Sequence, residues 1–383
     1  MSHVNTILSQ LLTLVPRHDF NKLVLEHDGK RRRGSFSRWS QFVSMAAGQL
    51  SGRSSLRDIE ATMESQSGIN YHMGSQVIKR STLARANENL NANFYQSLFQ
   101  KLYQRCNQRA DRHKFRFKGK LFSLDASLIS VSLKLFPKAN YNTMKAAYKL
   151  HVGLDHDGLI PAFCAVTHGR ESDMSQGKLL RMPKGSVLVF DRGYNDLGWQ
   201  ETLSKQGVFY VSRLRRNSLY QVVERRDTSS VTNVTSDQII QYSGMRAKNE
   251  NWRPLRRIGY RDPETGKHYV FITNQMNWSA KTVADIYKQR WQIELLFKWI
   301  KQNLKIKSFL GHSDNAVKTQ IFIALCVYLI TALIKFRSRA SKSLQQIFRL
   351  IQVNLFARRT LWDLIKPPPR SSNWSPQLLL DGF

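Results

Sequence analysis

The spacing of hydrophobic residues changes along the chain and predicts two kinds of structure. Over residues 1–115 apolar side chains recur at helical intervals, for example at Trp39 and Phe42, and no strand-like alternation interrupts them. Ser55 and Ser81 each follow a polar stretch and are typical of helix starts. This pattern predicts a helical N-terminal domain.

From about residue 119 the alternation of apolar and polar residues predicts strands. Asp157 and Gly158 form a D-G hairpin signal between the second and third of them. A helix over residues 174–182 and another at Leu197–Lys205 separate the later strands. Strands that alternate with helices after an antiparallel meander indicate a mixed α/β sheet. The predicted strands are KLFSLDASLISVSL, AYKLHVGL, LIPAFCAV, SVLVF and VFYVSRL.

The residue pattern changes again at the start of the second half of the chain. Short β-prone pieces rich in Arg and Thr, including the hairpin LRRIGYRD-PETG-KHYVFITN, predict an inserted β-rich subdomain. Ser279 is predicted to cap one long amphipathic helix that runs to about Leu304. The longest apolar run, residues 321–334, is shorter than the roughly 20 residues of a membrane span and predicts a core helix. The predicted division is a helical domain over 1–115, a sheet core over 116–214 and 276–335, the insertion over 215–275, and a helical C-terminal segment and tail over 336–383.

The net charge indicates the class of partner. The 383 residues include 59 Lys and Arg against 27 Asp and Glu, a net charge of +32. The 42% hydrophobic and 11% aromatic content excludes a disordered polycation. A folded protein with this surplus attracts polyanions, namely DNA, RNA or anionic membranes. The basic run at residues 30–33 is one candidate DNA contact.

The cysteines and the chain start point to a reducing compartment. Cys106, Cys164 and Cys326 are odd in number and have no C-x-x-C spacing, which predicts buried thiols and no disulfide framework. The first residues lack the basic segment and cleavage site of a secretory signal. We therefore expect a cytoplasmic protein, associated with the nucleoid when bound to DNA.

Two aspartates lie where α/β sheets carry functional groups. Asp125 lies inside the first predicted strand, and Asp191 follows the apolar strand SVLVF directly. An acid in an apolar segment is costly to bury unless it is paired, hydrogen-bonded or bound to a metal. These two acids are therefore candidates for a shared site.

A third acid comes from helix geometry. At about 100° per residue, Tyr287, Arg290, Glu294 and Lys301 fall within a stripe about 60° wide on the predicted long helix. This stripe borders the apolar face of the helix. Glu294 is therefore expected to lie half-sheltered between two cations.

These motifs together resemble the IS-four family of bacterial insertion-sequence transposases. The pattern Y-x2-R-x3-E-x6-K appears as YKQRWQIELLFKWIK, after an aspartate in DAS and an aspartate in DRGY. The match covers roughly residues 115–335. The resemblance implies a ribonuclease H-like, retroviral-integrase-like catalytic core, in which Asp125, Asp191 and Glu294 form the catalytic triad and hold Mg²⁺, with Mn²⁺ as a substitute.

The same resemblance implies roles for the neighbouring residues. Tyr287, Arg290 and Lys301 would contact phosphates near the transposon end, and Trp291 would stack on an unpaired or flipped base, with Trp278 as an equal alternative. Arg213, Arg215 and Arg216 would line the same DNA path. The implied partners are double-stranded DNA, both element terminal inverted repeats and target DNA, and a second copy of the chain in a synaptic complex.

Other functions account for fewer of these features. Each acid taken singly could be structural: a strand pairing residue, an Asx turn, or a helix ion pair. A DNA-binding protein without cutting activity, such as a decayed transposase, would keep the charge but would tolerate loss of the acids. A carboxylate-pair sugar hydrolase leaves the charge of +32 unexplained. A membrane-surface protein would concentrate its basic residues on one helix, whereas here they occur throughout the chain.

Overall fold

A computed structural model describes residues 5–29, 36–130, 147–228, 232–306 and 308–366. Its centre is a sheet of nine strands in the order β3-β2-β1-β4-β5-β9-β8-β7-β6. The basic run at residues 30–33 and the Pro-rich tail from Pro367 lie outside the described residues. The strands are β1 Leu121–Ser130, β2 Ala147–Asp155, β3 Ile160–His168, β4 Val187–Phe190, β5 Phe209–Arg213, β6 Tyr220–Arg226, β7 Val234–Tyr242, β8 Leu255–Arg261 and β9 His268–Thr273.

The first five strands confirm the predicted ribonuclease H-like core. β1, β2 and β3 form an antiparallel meander, and the predicted D-G turn joins β2 to β3. β4 pairs parallel to the other edge of β1, and β5 pairs parallel to β4. Because parallel neighbours need crossover connections, the chain between β4 and β5 forms the helix that the sequence predicts there.

Alternate residues of the central strands face two separate hydrophobic cores. Leu188 and Phe190 of β4 pack with the helix after that strand, whereas Val187 and Val189 pack with the helix that starts after Ser279. A strand buried on both faces has no polar face to show, which explains the continuous apolar run in SVLVF.

The predicted insertion does not form a separate unit. β9 pairs antiparallel with β5, and β8, β7 and β6 follow in order, so residues of 215–275 extend the core sheet. Ile240, Tyr242 and Trp252 share one core with Phe190 and Tyr210. The insertion is β-rich, and its strands continue the core sheet through the pairing of β9 with β5.

The helices of both chain ends share one further core. Residues from Ile7 to Ile365 belong to it. In the described part of residues 5–115, the regular elements are helices joined by turns and irregular segments, with one isolated bridge between Thr6 and Arg358. The helices are α1 Ile7–Leu12, α2 Arg17–Asp28, α3 Arg38–Leu50, α4 Leu56–Ser65, α5 Ser67–Asn70, α6 Arg80–Asn89, α7 Asn93–Asn107, α8 Asp173–Gly177, α9 Leu197–Lys205, α10 Met245–Asn249, α11 Ala280–Lys288, α12 Trp291–Asn303, α13 Asp314–Ser338, α14 Leu344–Asn354 and α15 Leu361–Ile365.

The central helix of that core is α13, which packs against α3, α6, α7 and α14. By length and hydropathy it could cross a membrane, but 94% of its most apolar 18-residue window is buried inside the protein. This burial matches the predicted core helix. The boundary predicted at 335/336 falls inside α13, so the C-terminal segment and the N-terminal helices form one packed body.

The long helix predicted from Ser279 to Leu304 is two helices. α11 ends at Lys288 and α12 begins at Trp291, and the backbone N–H of Arg290 donates to the carbonyl of Tyr287 at 3.0 Å in a tight turn. Tyr287 therefore lies on α11, whereas Glu294 and Lys301 lie on α12. The polar stripe expected on one helix is divided between two helices that this turn joins.

Ser279 does cap α11, and its loss should weaken the support of Tyr287. Its hydroxyl accepts the backbone N–H of Thr282 at 3.1 Å. We expect Ser279→Ala to lower the free energy of unfolding by about 1 kcal/mol, measured by urea denaturation. Ser81→Ala is the matched control, because Ser81 is the second residue of α6, near its predicted start, and its side chain does not cap the helix. Equal losses in both variants would contradict the capping role.

Candidate active site

Asp125 and Asp191 come together because of the register of β1 and β4. Leu124 pairs with Phe190 in the parallel ladder, and each aspartate is the next residue. The two side chains thus start from adjacent positions at the carboxyl end of β4, with 25% and 39% of their surface exposed. Open α/β sheets hold their ligands beside the carboxyl ends of their strands.

Glu294 is brought to the same place by Arg290. The guanidinium of Arg290 donates to Asp125 Oδ2 at 3.3 Å through one nitrogen and to Glu294 Oε1 at 2.6 Å through another. α12 packs directly against β1. Arg290 is only 16% exposed, so its fork bridges the two carboxylates in a partly dehydrated space where charge-assisted bonds are strong.

Asp191 has its own set of donors. The Tyr287 hydroxyl donates to Asp191 Oδ1 at 3.2 Å, and a guanidinium nitrogen of Arg213 lies 3.3 Å from the same oxygen. Arg213 also lies over the rings of Tyr269 and Tyr287, 5.9 and 6.0 Å from their centroids. The structure thus brings together all three predicted acids and three of the predicted DNA contacts.

The two aspartates differ in their electrostatics. Burial raises the pKa of Asp125 to about 6, against the opposing effects of the Ala126 backbone N–H and Arg290. Glu294 and Asp191 add to this increase by repulsion. Burial also acts to raise the pKa of Asp191, but the Arg192 backbone N–H, Arg213, Arg290 and Tyr287 together lower it. Of the two aspartates, Asp125 is therefore the one whose charged form would be stabilised more by a further positive charge.

The donor set suits a hard divalent cation. Three carboxylates supply the oxygen ligands that such ions prefer, and no sulfur or imidazole is among them. As the side chains stand, no three His, Cys, Asp or Glu groups of the described residues are close enough to hold a metal ion. Arg290 is the cation that bridges Asp125 and Glu294 in this arrangement.

The other predicted residues fall at different distances from the acids. Lys301 lies on α12 seven residues beyond Glu294, about 10 Å along the helix axis. Trp291 is 58% exposed at the start of α12. Arg215 and Arg216 are exposed beyond the end of β5, and a nitrogen of Arg215 lies 3.4 Å from the Arg192 carbonyl oxygen.

Trp278 and Trp291, the two alternatives for base stacking, differ in how far their rings are already packed against the protein. Trp278 stacks on Phe117, with centroids 4.9 Å apart and an interplanar angle of 19°, and also contacts Phe209. Its ring is thus already packed in the protein. Trp291 keeps most of its surface free for a ligand.

The aromatic wall beside the acids is a feature that the sequence did not predict. A cleft of about 430 Å³ adjoins them and is lined by Tyr260 and Tyr269 as well as by Tyr287, Arg290 and Trp291. Tyr269 and Phe271 are two positions apart on β9, and side chains two positions apart on a strand lie on the same face. The segment KHYVFITN could therefore have placed both rings on one face. It could not have shown that β9 pairs beside β5.

Comparison with known families agrees with this geometry. A family described as the transposase DDE domain matches residues 116–330, more than half of the chain. The chain belongs to this family. A domain of unknown function (DUF4372) matches residues 3–76. Membership confirms the predicted ribonuclease H-like fold and the predicted DNA transposase function, and it implies DNA as a partner and a divalent cation as the cofactor. The finer placement in the IS-four family stays a prediction.

Three relatives are transposases by name. A Sinorhizobium fredii protein, y4zB, is 33% identical over 243 residues, which cover 62% of this chain and 67% of that protein. A Geobacillus stearothermophilus protein of insertion sequence IS5377 is 30% identical, covering 57% and 58%. A Synechocystis protein of IS4SA is 24% identical, covering 61% and 65%. This chain therefore spans about two thirds or less of their lengths.

One solved structure shows a more distant likeness. It is a piggyBac transposase synaptic complex with hairpin DNA, at 11% identity and a TM-score of 0.43, covering 95% of this chain and 80% of that one. This likeness is too weak to add to the family assignment.

Proposed function

We propose that this chain is a Mg²⁺-dependent insertion-sequence transposase that hydrolyses phosphodiesters at element ends and then joins the freed strand to target DNA. The observation that carries this proposal is the convergence of Asp125, Asp191 and Glu294 around Arg290 at one edge of the sheet. Mn²⁺ should substitute for Mg²⁺, since both suit carboxylate ligands.

The three carboxylates have distinct tasks in this proposal. Asp125 and Asp191 would hold the divalent cation from adjacent strands, and Glu294 would complete the site from α12. When bound, such a cation activates a water or a 3′-hydroxyl and stabilises the departing oxygen. Asp125 fits this task because burial raises the pKa of its carboxyl, and a nearby cation would offset the free-energy cost of burying the negative charge.

Arg290 would have two binding partners, one without DNA and one with it. Without DNA its fork neutralises Asp125 and Glu294, which would otherwise repel each other. A phosphate of the bound strand offers the same fork a bidentate partner. Movement of Arg290 onto that phosphate would leave Asp125 and Glu294 available as ligands for a divalent cation. Substrate and cofactor would thus enter the site together.

The cleft beside the acids would hold the DNA strand near the scissile bond. Tyr287 and Arg213 bond to Asp191 and also face the cleft, while Lys301 would contact a phosphate farther along α12. Two copies of the chain would join the two element ends in a synaptic complex. This dimer rests on the family resemblance alone.

The test is incubation of the full chain with labelled DNA that carries the flanked element ends. We expect nicking at the element boundary with Mg²⁺ and none with chelator. Binding without nicking under both conditions would instead support a non-catalytic DNA-binding protein.

Trp291 should matter for DNA but not for folding. Base stacking on an aromatic side chain contributes about 1–3 kcal/mol per base, so Trp291→Ala should slow end cleavage about tenfold and leave the unfolding midpoint unchanged. Trp278→Ala is the matched control, because loss of its stacking on Phe117 should lower stability instead. Cleavage at the normal rate by Trp291→Ala would exclude it as the stacking residue.

A further inference from the structure

A large groove lies at the start of β1. It encloses about 1430 Å³ between the α7–β1 connection, the β2–β3 turn, the α11–α12 turn and the end of α13. Leu121 in its wall is four positions before Asp125, about 13 Å along the strand. We call it the basic groove, after its cations Arg109, Arg112, Lys114, Lys335, Arg337 and Arg339.

The charge of the basic groove is almost entirely of one sign. Its six cations are accompanied by a single carboxylate, that of Asp111. Across the described ranges, none of the six forms an ion pair with an acid, whereas the sheltered cations Lys120, Arg256 and Arg290 each do. A concave surface of unneutralised cations concentrates anions from solution.

In the α7–β1 connection, every second residue from Arg112 to Lys118 is an exposed cation. Arg112, Lys114, Arg116 and Lys118 are exposed, and the residues between them are half-buried. Those intervening aromatic rings stack inward: Phe115 on Phe117 at 5.5 Å and 15°, and Phe117 on Trp278 at 4.9 Å. The aromatic side thus fixes the connection to the sheet, and the basic side faces solvent.

Polar bonds hold the same connection against the β2–β3 turn. The backbone N–H of His113 donates to Asp157 Oδ1 at 2.9 Å, and the backbone N–H of Gly158 donates to the Asp111 carbonyl at 2.9 Å. Lys120 bonds to Asp155 and Asp157 at the base. The groove is therefore a preorganised surface, which lowers the cost of ordering it on binding.

Arg337 shows the unmet demand for an anion most clearly. Its Nε is buried without a hydrogen-bond partner in the described structure. Burial lowers the pKa of Arg337, and repulsion from Arg109 and Arg105 lowers it further. A bound phosphate would relieve both effects, because it supplies acceptors and negative charge together.

We propose that the basic groove binds the sugar–phosphate backbone of a DNA duplex, without reading its sequence, next to the catalytic acids. This inference rests on the proposed function. One helical turn of DNA spans about 34 Å, so a duplex in the groove can also reach the carboxylates. Long flexible cations contact phosphates, which carry no base information. A flat bilayer fits a concave groove poorly.

The test is the salt dependence of binding to uncut duplexes in chelator, for an element end and for a random sequence. The variant is Arg109→Gln/Lys114→Gln/Arg339→Gln, three exposed cations from two sides of the groove. Each lost phosphate contact lowers the slope of log K against log salt by about 0.9. We expect a loss of up to about 3 in slope and at least about tenfold weaker binding, equal for both duplexes.

The matched control is Lys79→Gln/Lys205→Gln/Arg253→Gln, which removes the same charge from exposed cations paired with acids. It should keep most of the affinity, and both variants should unfold at the wild-type midpoint. Equal losses in the two variants, a loss confined to the element end, or vesicles of phosphatidylserine binding through the same three cations would each overturn the proposal. Because no step requires cleavage, wild-type protein that fails to nick DNA would refute the proposed function and leave this result standing.

Discussion

Glu294→Gln should reduce cleavage of element ends about a thousandfold or more while DNA affinity changes little. The amide keeps the size of the side chain and can still accept the hydrogen bond from Arg290, so the fold of α12 is preserved. It removes the negative charge that completes the cation site. Metal assistance contributes several kcal/mol to such reactions, and each 1.4 kcal/mol is a factor of ten in rate. The measurement is single-turnover cleavage with Mg²⁺ beside equilibrium binding in chelator.

Glu224→Gln provides the control for this substitution. Glu224 is an exposed residue on β6, at the far edge of the sheet, and pairs with Arg226. It should cleave at the wild-type rate. Glu294→Gln protein that cuts normally with Mg²⁺ would remove Glu294 from the catalytic set.

Arg290→Met should slow cleavage about a hundredfold. The variant removes the charge-assisted bonds that Arg290 would make to a phosphate of the bound strand, and such bonds contribute about 1.5–3 kcal/mol each. Arg290→Lys keeps the charge but loses the fork, so we expect about a tenfold loss. The ordered series of wild type, Arg290→Lys and Arg290→Met is measured with saturating DNA and Mg²⁺.

The same series separates two roles of Arg290. If Arg290 moves onto a phosphate in the complex, both variants should also weaken binding to uncut DNA. Unchanged affinity in both variants would contradict that movement. Arg290→Lys protein as fast as wild type would show that the bidentate geometry has no part in the reaction.

Local sequence signals identified the acids because their placement follows from short-range rules. Asp125 and Asp191 each fall one residue after strand positions that pair, Leu124 with Phe190, and strand pattern is visible in the sequence. Glu294 was found through helical periodicity. That the stripe crosses a break between α11 and α12 was not visible, because Gln289 and Arg290 carry neither Gly nor Pro to mark a turn.

These local signals do not predict contacts between residues that are far apart in the sequence. The pairing of β9 with β5 joins residues about 60 positions apart and depends on which edge strand of the sheet is open, so the sequence predicts the β-rich insertion but not where it joins the sheet. Likewise, the shared core of the N-terminal helices with α13 depends on contacts across more than 200 residues. The basic groove arises from four separate segments, and only the total charge foreshadowed it.

In the proposed function, Asp125 and Asp191 hold one divalent cation beside the carboxyl end of β4. Anomalous diffraction from crystals of the chain with uncut element-end DNA and Mn²⁺ tests it most directly. We expect an anomalous peak in contact with carboxylate oxygens of both aspartates, with Arg290 turned towards the DNA. Crystals that cleave their DNA when warmed, yet show Mn²⁺ only at other residues, would contradict it.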